Sequence, residues 1–209
     1  MAQFFSIYPD NPQVRLIRQA VDLVKNGAVI VYPTDSGYAL GCRLDDKDAV
    51  TRIRQIRGLD EKHLMTLMCR DLSELARYAR VSNAQFRLLK NNTPGSYTFI
   101  LEATKEVPRR LQHPKRSTIG LRIPDHPVAL ALLEELDEPL LTSTLILPNA
   151  GEPLTDVDEI REHLEGMVDL IIEGGTVGIE RTTVIDLTDA VPVLVRRGRG
   201  KITHLGIEE

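Results

Sequence analysis

Val31-Tyr32-Pro33-Thr34-Asp35-Ser36-Gly37-Tyr38-Ala39-Leu40-Gly41-Cys42 is the stretch from which the fold is read. Ala28 to Tyr32 is a small and β-branched run that reads as a buried strand, and Tyr38 to Leu44 reads as its neighbour. Pro33 ends the first strand, and Thr34, Asp35, Ser36 and Gly37 turn the chain. A connection this short leaves no room for a crossover helix, whereas other strand signals are separated by helical ones. A mixed sheet follows. Hydroxyls on a strand-end loop suit the amine or carboxylate of a small substrate. The same residues are ordinary turn formers, so the stretch alone leaves both readings open.

Helix and strand signals alternate outward from this stretch, with no repeat, low-complexity tract or linker. Asn11 and Pro12 predict a helix start, Val14, Ile17, Val21 and Val24 recur at helical spacing, and Gly27 stops the helix. Asp46 begins a second helix with Val50, Ile53 and Ile56 on one face, and Leu64 to Cys69 reads as a strand. Asp71 with Glu74, and Ser82 with Gln85, are capping boxes opening short helices. Tyr97 to Ala103 and Ser117 to Ile123 read as strands, Asp125 and Pro127 open a helix through Leu136, and Leu140 to Thr144 is a short strand. Thr155 with Asp158 opens a further helix, and Val168 to Ile172, Thr183 to Leu187 and Val193 to Arg196 close the series as strands. The expectation is one α/β domain over residues 1–209, its core at about 14–200, with a mixed parallel/antiparallel sheet flanked by helices.

With 209 residues, 42% of them hydrophobic and 27% charged, the chain has enough apolar side chains for a core. It has no apolar run near the roughly 20 residues that cross a bilayer. MAQFFSIYPD lacks a basic n-region and a long apolar stretch, so a cytoplasmic protein without a membrane partner is expected. Cys42 and Cys69 are too few for a disulfide scaffold or a multi-cysteine metal site, and read as small apolar packing residues on strands that could be adjacent. The net charge of −4 conceals an asymmetry: residues 52–122 carry 15 basic and 6 acidic side chains, and residues 123–190 carry 2 and 16. Either the basic third meets phosphate or RNA, or it lies beside the acidic third and is neutralised.

Several chemistries are missing. No GxxxxGK[ST] loop, GxGxxG fingerprint, GxSxG elbow or HExxH helix is present, and the five histidines lack metal-ligand spacing. Arg197-Gly198-Arg199-Gly200-Lys201 has the wrong spacing for a phosphate loop and reads as a solvated loop. Hydroxyls and guanidinium groups nevertheless recur at strand ends, in Leu141-Thr142-Ser143-Thr144, Arg181-Thr182-Thr183, Arg196-Arg197-Gly198, and Ser117-Thr118 leading into Arg122. Each alone is as well structural as functional. Together they are placed to converge on one anionic ligand at the sheet edge.

These stretches carry a resemblance. Tyr32 to Gly41 is similar to the PT-x-T-x-Y-G-L-G motif of the YrdC/YciO family, and Thr93-Pro94-Gly95-Ser96-Tyr97-Thr98 to its W-P-G-P-x-T. Thr118 to Pro124, Val168 to Ile172 with Gly174-Gly175, Thr182 to Asp186, and Val195-Arg196 follow in family order, from about residue 14 to 200. The likeness is closest to the YciO branch. It implies a twisted sheet with a concave, positively charged cavity. It also implies synthesis of threonylcarbamoyl-AMP from L-threonine, bicarbonate and ATP with Mg²⁺, releasing pyrophosphate, for a tRNA modification. Binding of double-stranded RNA or tRNA is likewise ascribed to the family. On this resemblance Ser36, Arg122, Thr142 and Thr182 match threonine-binding positions, and Thr118, Thr144 and Arg196 nucleotide-binding ones. The resemblance leaves the catalytic residues unassigned and implies no resident metal ligand, since the reaction needs little acid–base machinery and is carried mainly by alignment and charge neutralisation.

Departures fall at informative places. The family's K-x-R after the second helix is Arg57-Gly58-Leu59 here, so Arg57 is retained as a candidate phosphate contact and one cation is lost. Losing such a contact to a polyphosphate costs about 2–3 kcal/mol of binding. The family's S-A-N becomes Thr144-Leu145-Ile146, and a histidine position on the third strand holds Leu67. Three readings therefore stand: a synthase-like adenylate-forming enzyme, an RNA-binding protein of the same fold without synthesis, and an enzyme acting on a different adenylate or RNA ligand.

Overall fold

The computed structural model describes residues 1–207. At the Thr34–Gly37 turn the Thr34 hydroxyl donates to the Gly37 carbonyl at 2.7 Å. This closes a hairpin of β2 (Ile30–Thr34) and β3 (Gly37–Arg43) in which Tyr32 lies opposite Ala39. The other strands are β1 (Gln3–Ser6), β4 (Thr66–Met68), β5 (Tyr97–Glu102), β6 (Thr118–Arg122), β7 (Leu140–Thr144), β8 (Leu170–Glu173), β9 (Thr183–Asp186) and β10 (Val193–Arg196). All ten join one open sheet in the order β1-β8-β2-β3-β7-β4-β6-β5-β9-β10. Parallel pairs (β1/β8, β2/β8, β4/β6, β5/β9) mix with antiparallel ones (β2/β3, β3/β7, β4/β7, β5/β6, β9/β10), as the alternation of short and long connections predicts.

The helices divide unequally between the faces. Apolar residues of α2 (Lys47–Arg57), α3 (Leu72–Tyr78), α4 (Asn83–Asn92) and α6 (Val157–Leu164) pack one face, meeting Leu40, Leu67, Phe99, Leu121, Leu141, Ile171 and Ile185 across the sheet. On the other face α1 (Val14–Lys25) and α5 (Pro127–Leu136) cover Ile30, Tyr32, Ala39, Met68, Leu140, Leu170 and Ile172. No residue of β5, β6, β9 or β10 belongs to this second cluster. That half of the face is left open, and the site lies there.

Local structure corrects several boundaries. Helix α1 follows Gln13, not Asn11 and Pro12, and has no side-chain cap. The Gln13 amide instead accepts from the Tyr8 N–H at 3.0 Å and donates to the Ser6 carbonyl at 3.2 Å. Val14 is exposed, so the buried stripe is Ile17, Val21 and Val24. Asp46 caps α2, and the Ser82–Gln85 box closes in both directions. Asp71 caps α3, but Glu74 reaches the Arg70 N–H. His126, not Asp125, caps α5, and Asp156, not Thr155, caps α6 by accepting from the N–H groups of Asp158 and Glu159. Strand β7 lies between β3 and β4, so Cys42 and Cys69 are not on adjacent strands. Both are buried free thiols, and burial pushes Cys42 up to about 12. β1 is unanticipated because four residues are too short for a period. Buried Ile7 and Ile202 extend the core beyond residues 14–200.

The loop after β10 is not simply solvated. A Cβ on Gly200 would lie 2.4 Å from the Tyr97 ring, and one on Gly198 2.3 Å from the Arg181 carbonyl. Gly200→Ala is therefore expected to destabilise the fold by about 1–3 kcal/mol in urea unfolding. A second outcome concerns pH. His126 caps α5 by accepting the Val128 N–H at Nδ1, which requires a neutral ring, and burial lowers its pKa against the opposing fields of Asp35 and Asp125. A depressed histidine stabilises fully above its unfolded value of about 6.5 and loses that contribution as pH falls through the lower folded value. His126→Asn keeps an acceptor at this position. It should lack a loss of about 1 kcal/mol that the native chain shows on the acid side in unfolding midpoints against pH.

Candidate functional site

Beyond α5 the open half of the sheet forms the floor of a cavity of about 310 Å³. Side chains alternate across a strand, so every second residue faces it. Thr98 and Ile100 come from β5, Thr118, Gly120 and Arg122 from β6, Thr142 and Thr144 from β7, Thr66 from β4 and Val184 from β9. The intervening Phe99, Leu101, Leu121 and Ile185 lie in the core on the helical side. His63 and Met65 before β4, His113 and Arg116 before β6, and Arg181 and Thr182 before β9 form the walls.

All eight residues singled out from the sequence, Ser36, Arg57, Thr118, Arg122, Thr142, Thr144, Thr182 and Arg196, line this one cavity. Arg122 is 5% exposed and forms an ion pair with Asp35, while its Nη1 donates to the Ser36 hydroxyl at 2.8 Å. Its Nε is buried without a partner. The Ser96 hydroxyl also donates to Asp35, and Arg199 donates to the Asp35 carbonyl. Thr142 accepts from the Tyr32 hydroxyl at 2.8 Å while donating to the Leu40 carbonyl at 3.1 Å, and burial pushes the Tyr32 phenol up. Thr182 lies 2.9 Å from the Thr98 hydroxyl and accepts from Arg196 at both its carbonyl (2.9 Å) and its hydroxyl (3.2 Å). Arg57 donates to the Ser143 hydroxyl at 2.7 Å and to the Thr144 carbonyl, tying α2 to the end of β7.

The charge of the cavity is one-sided, since no Asp or Glu lines it. Arg122 is balanced by Asp35 and Arg116 by Asp186, leaving Arg57, Arg181 and Arg196 without a carboxylate. Burial and the field of Arg181 lower the pKa of both Arg57 and Arg196. Three ion pairs join the basic third to the acidic third: Arg52 with Asp169, Arg70 with Asp137 and, at the cavity, Arg116 with Asp186. Among the described residues no group of three or more His, Cys, Asp or Glu is placed to hold a metal ion.

Of the three departures, Ile146 does line the cavity, Leu59 does not, and Leu67 packs in the core on the opposite face. Leu67 therefore takes no group from the cavity; its neighbour Thr66 is the one that faces it. Sequence reasoning missed Thr66, Thr98, His113 and the role of Asp35. Alternation along β4 and β5 marks the two threonines, but no sequence signal places Asp35 against Arg122.

Asp35→Asn removes the counter-charge of a buried guanidinium and is expected to cost roughly 3–5 kcal/mol of stability. Adding Arg122→Met should recover much of that loss in chemical denaturation.

A family model described as "Telomere recombination", for Sua5, YciO and YrdC proteins, matches residues 22–198. The YciO protein of Escherichia coli K12 is 61% identical over 202 residues, covering 97% of this chain and 98% of its own. The E. coli YciO crystal structure superposes with a TM-score of 0.94 over 98% of this chain and 100% of its own. P. abyssi Sua5, crystallised with L-threonine, has a TM-score of 0.85 at 27% identity over 93% of this chain and 57% of its own. The threonylcarbamoyl-AMP synthase of Halorhodospira halophila is 32% identical over 81% of this chain and 88% of its own. Among the described residues no helix is long and apolar enough to cross a membrane. By the span of the family model and the identity to both YciO and a synthase, the chain belongs to the Sua5/YciO/YrdC family.

Proposed function

We propose that this chain joins L-threonine, bicarbonate and ATP into threonylcarbamoyl-AMP, releasing pyrophosphate. The observation that carries the reading is the pairing of two charge environments in one cavity. One is the neutral Asp35–Arg122 pair beside Ser36, and the other is the trio Arg57, Arg181 and Arg196 with no carboxylate. The carboxylate of an amino acid suits the first, where Arg122 and Ser36 face the cavity. A triphosphate suits the second.

In this reading Arg122 takes the amino-acid carboxylate through its unpartnered Nε, held in place by Asp35 and Ser36. The threonine hydroxyls of the floor orient the substrate. The threonine amine bonds to the bicarbonate carbon and one bicarbonate oxygen leaves as water; an oxygen of the resulting carbamate then attacks the α-phosphorus, the bond to pyrophosphate breaks, and the leaving group carries away the electron pair. Arg57 and Arg196 neutralise the charge that accumulates on it, a service worth more inside a cavity than in water. No carboxylate of the cavity fits a resident metal, so Mg²⁺ enters as part of the nucleotide substrate. The product then serves a tRNA-modifying step. Binding of double-stranded RNA or tRNA without synthesis is less well supported, because Arg57, Arg181 and Arg196 line a cavity of about 310 Å³, the size of a small-molecule site.

The test is product formation by purified protein with labelled bicarbonate, L-threonine and Mg-ATP. Product dependent on all three is expected. Ser36→Ala should raise the KM for threonine about five- to tenfold, the loss of roughly one hydrogen bond, with little change for ATP. Absence of product from folded protein would overturn the synthase reading and leave a different ligand to be found.

A further inference from the structure

We propose that Arg181 is a phosphate-binding residue of this cavity, presented from the segment before β9. The inference rests on the synthase reading and adds a residue that the family resemblance does not assign.

The first ground is placement. Strands β8 and β9 hold the second and ninth places in the sheet. Along a flat sheet that separation is about 33 Å. The ten residue steps from Glu173 to Thr183 reach at most ~33–36 Å. Residues 174–182 therefore carry the chain in one irregular segment from one side of the sheet to the other. Tyr38 holds one end by donating to the Gly175 carbonyl at 3.3 Å. The other end is held by the Thr183 N–H on the Ser96 carbonyl at 3.0 Å. Arg181 itself is fixed through its carbonyl, which accepts the Arg199 N–H at 2.9 Å and against which Gly198 packs. Its side chain is thus mounted on rigid backbone at the cavity wall.

The second ground is the state of the guanidinium. It is half-buried, lines the cavity, and makes no hydrogen bond or ion pair among the described residues. Each neighbouring cation, by contrast, has backbone or hydroxyl acceptors: Ser143 and Thr144 for Arg57, and Thr182 for Arg196. A half-buried cation beside two others, with no acceptor of its own, opposes folding and favours an incoming anion. With Arg57 and Arg196 it makes three cations in the cavity that no carboxylate balances. Leu59 does not reach the cavity.

Calorimetric titration of the whole chain with inorganic pyrophosphate and with Mg-ATP, at low and moderate salt, tests this. Arg181→Gln should weaken both ligands about tenfold or more and flatten the salt dependence, and Arg181→Lys should lose less. The unfolding midpoint of Arg181→Gln without ligand should stay level or rise, because like-charge repulsion is relieved. Arg87→Gln, on the exposed side of α4, should bind as the native chain does. Native-like affinity in Arg181→Gln, or a fall in its unfolding midpoint marking a structural prop, would overturn the assignment alone. If the native chain binds neither ligand, the synthase reading fails and Arg181 with it.

Discussion

A carboxylate and a guanidinium, Asp35 and Arg122, are removed from water together, with side chains 6% and 7% exposed, and the arrangement of the site depends on their staying paired. Each ion loses its hydration on folding, and the loss is offset only if partners are held in place. Those partners come from distant parts of the chain. Asp35 is in the β2–β3 turn, Arg122 ends β6, Ser96 precedes β5, and Arg199 follows β10 to reach the Asp35 carbonyl. One buried pair thereby links the β2–β3 turn to the end of β6 across a ten-stranded sheet.

That tie matters because the sheet is covered unevenly. Four helices seal one face, while α1 and α5 seal only part of the other. An open stretch of sheet would ordinarily be a liability. Here its floor is paved with threonines, several of whose hydroxyls are already held in place by hydrogen bonds to one another, to Tyr32 and to Arg196. The fold thus makes a cavity by omitting a helix.

Charge is distributed on the same plan. The basic middle of the chain meets the acidic segment that follows it in ion pairs over the surface, and most of these exposed pairs add little stability. Inside the cavity the compensation is partial, with Arg116 and Arg122 paired and Arg57, Arg181 and Arg196 not. Cations without carboxylates remain where an anionic substrate gains most from them, since few solvent dipoles compete there. The Leu59 departure looks like a loss of function when the K-x-R segment is considered alone, but the cavity as a whole still holds five arginines.

The helices, nine of the ten strands and the mixed sheet were legible in the sequence, because β-branched runs, period-two alternation and caps are local signals, while the eight cavity residues came from the ordered motifs that carry the family resemblance. Cap assignment was less so. Asn11, Asp125 and Thr155 are good cap formers, yet Gln13, His126 and Asp156 precede the helices, since the packed face decides where a helix starts. Leu67 shows a sharper limit, because a shift of one residue on a strand exchanges cavity for core. By itself the sequence determined which residues carry hydroxyls and charges, and in what order. Only the tertiary structure decided which of those charges cancel. Pairing of Asp35 with Arg122, and the convergence of Arg57, Arg181 and Arg196, depend on distances across the sheet that no local pattern encodes.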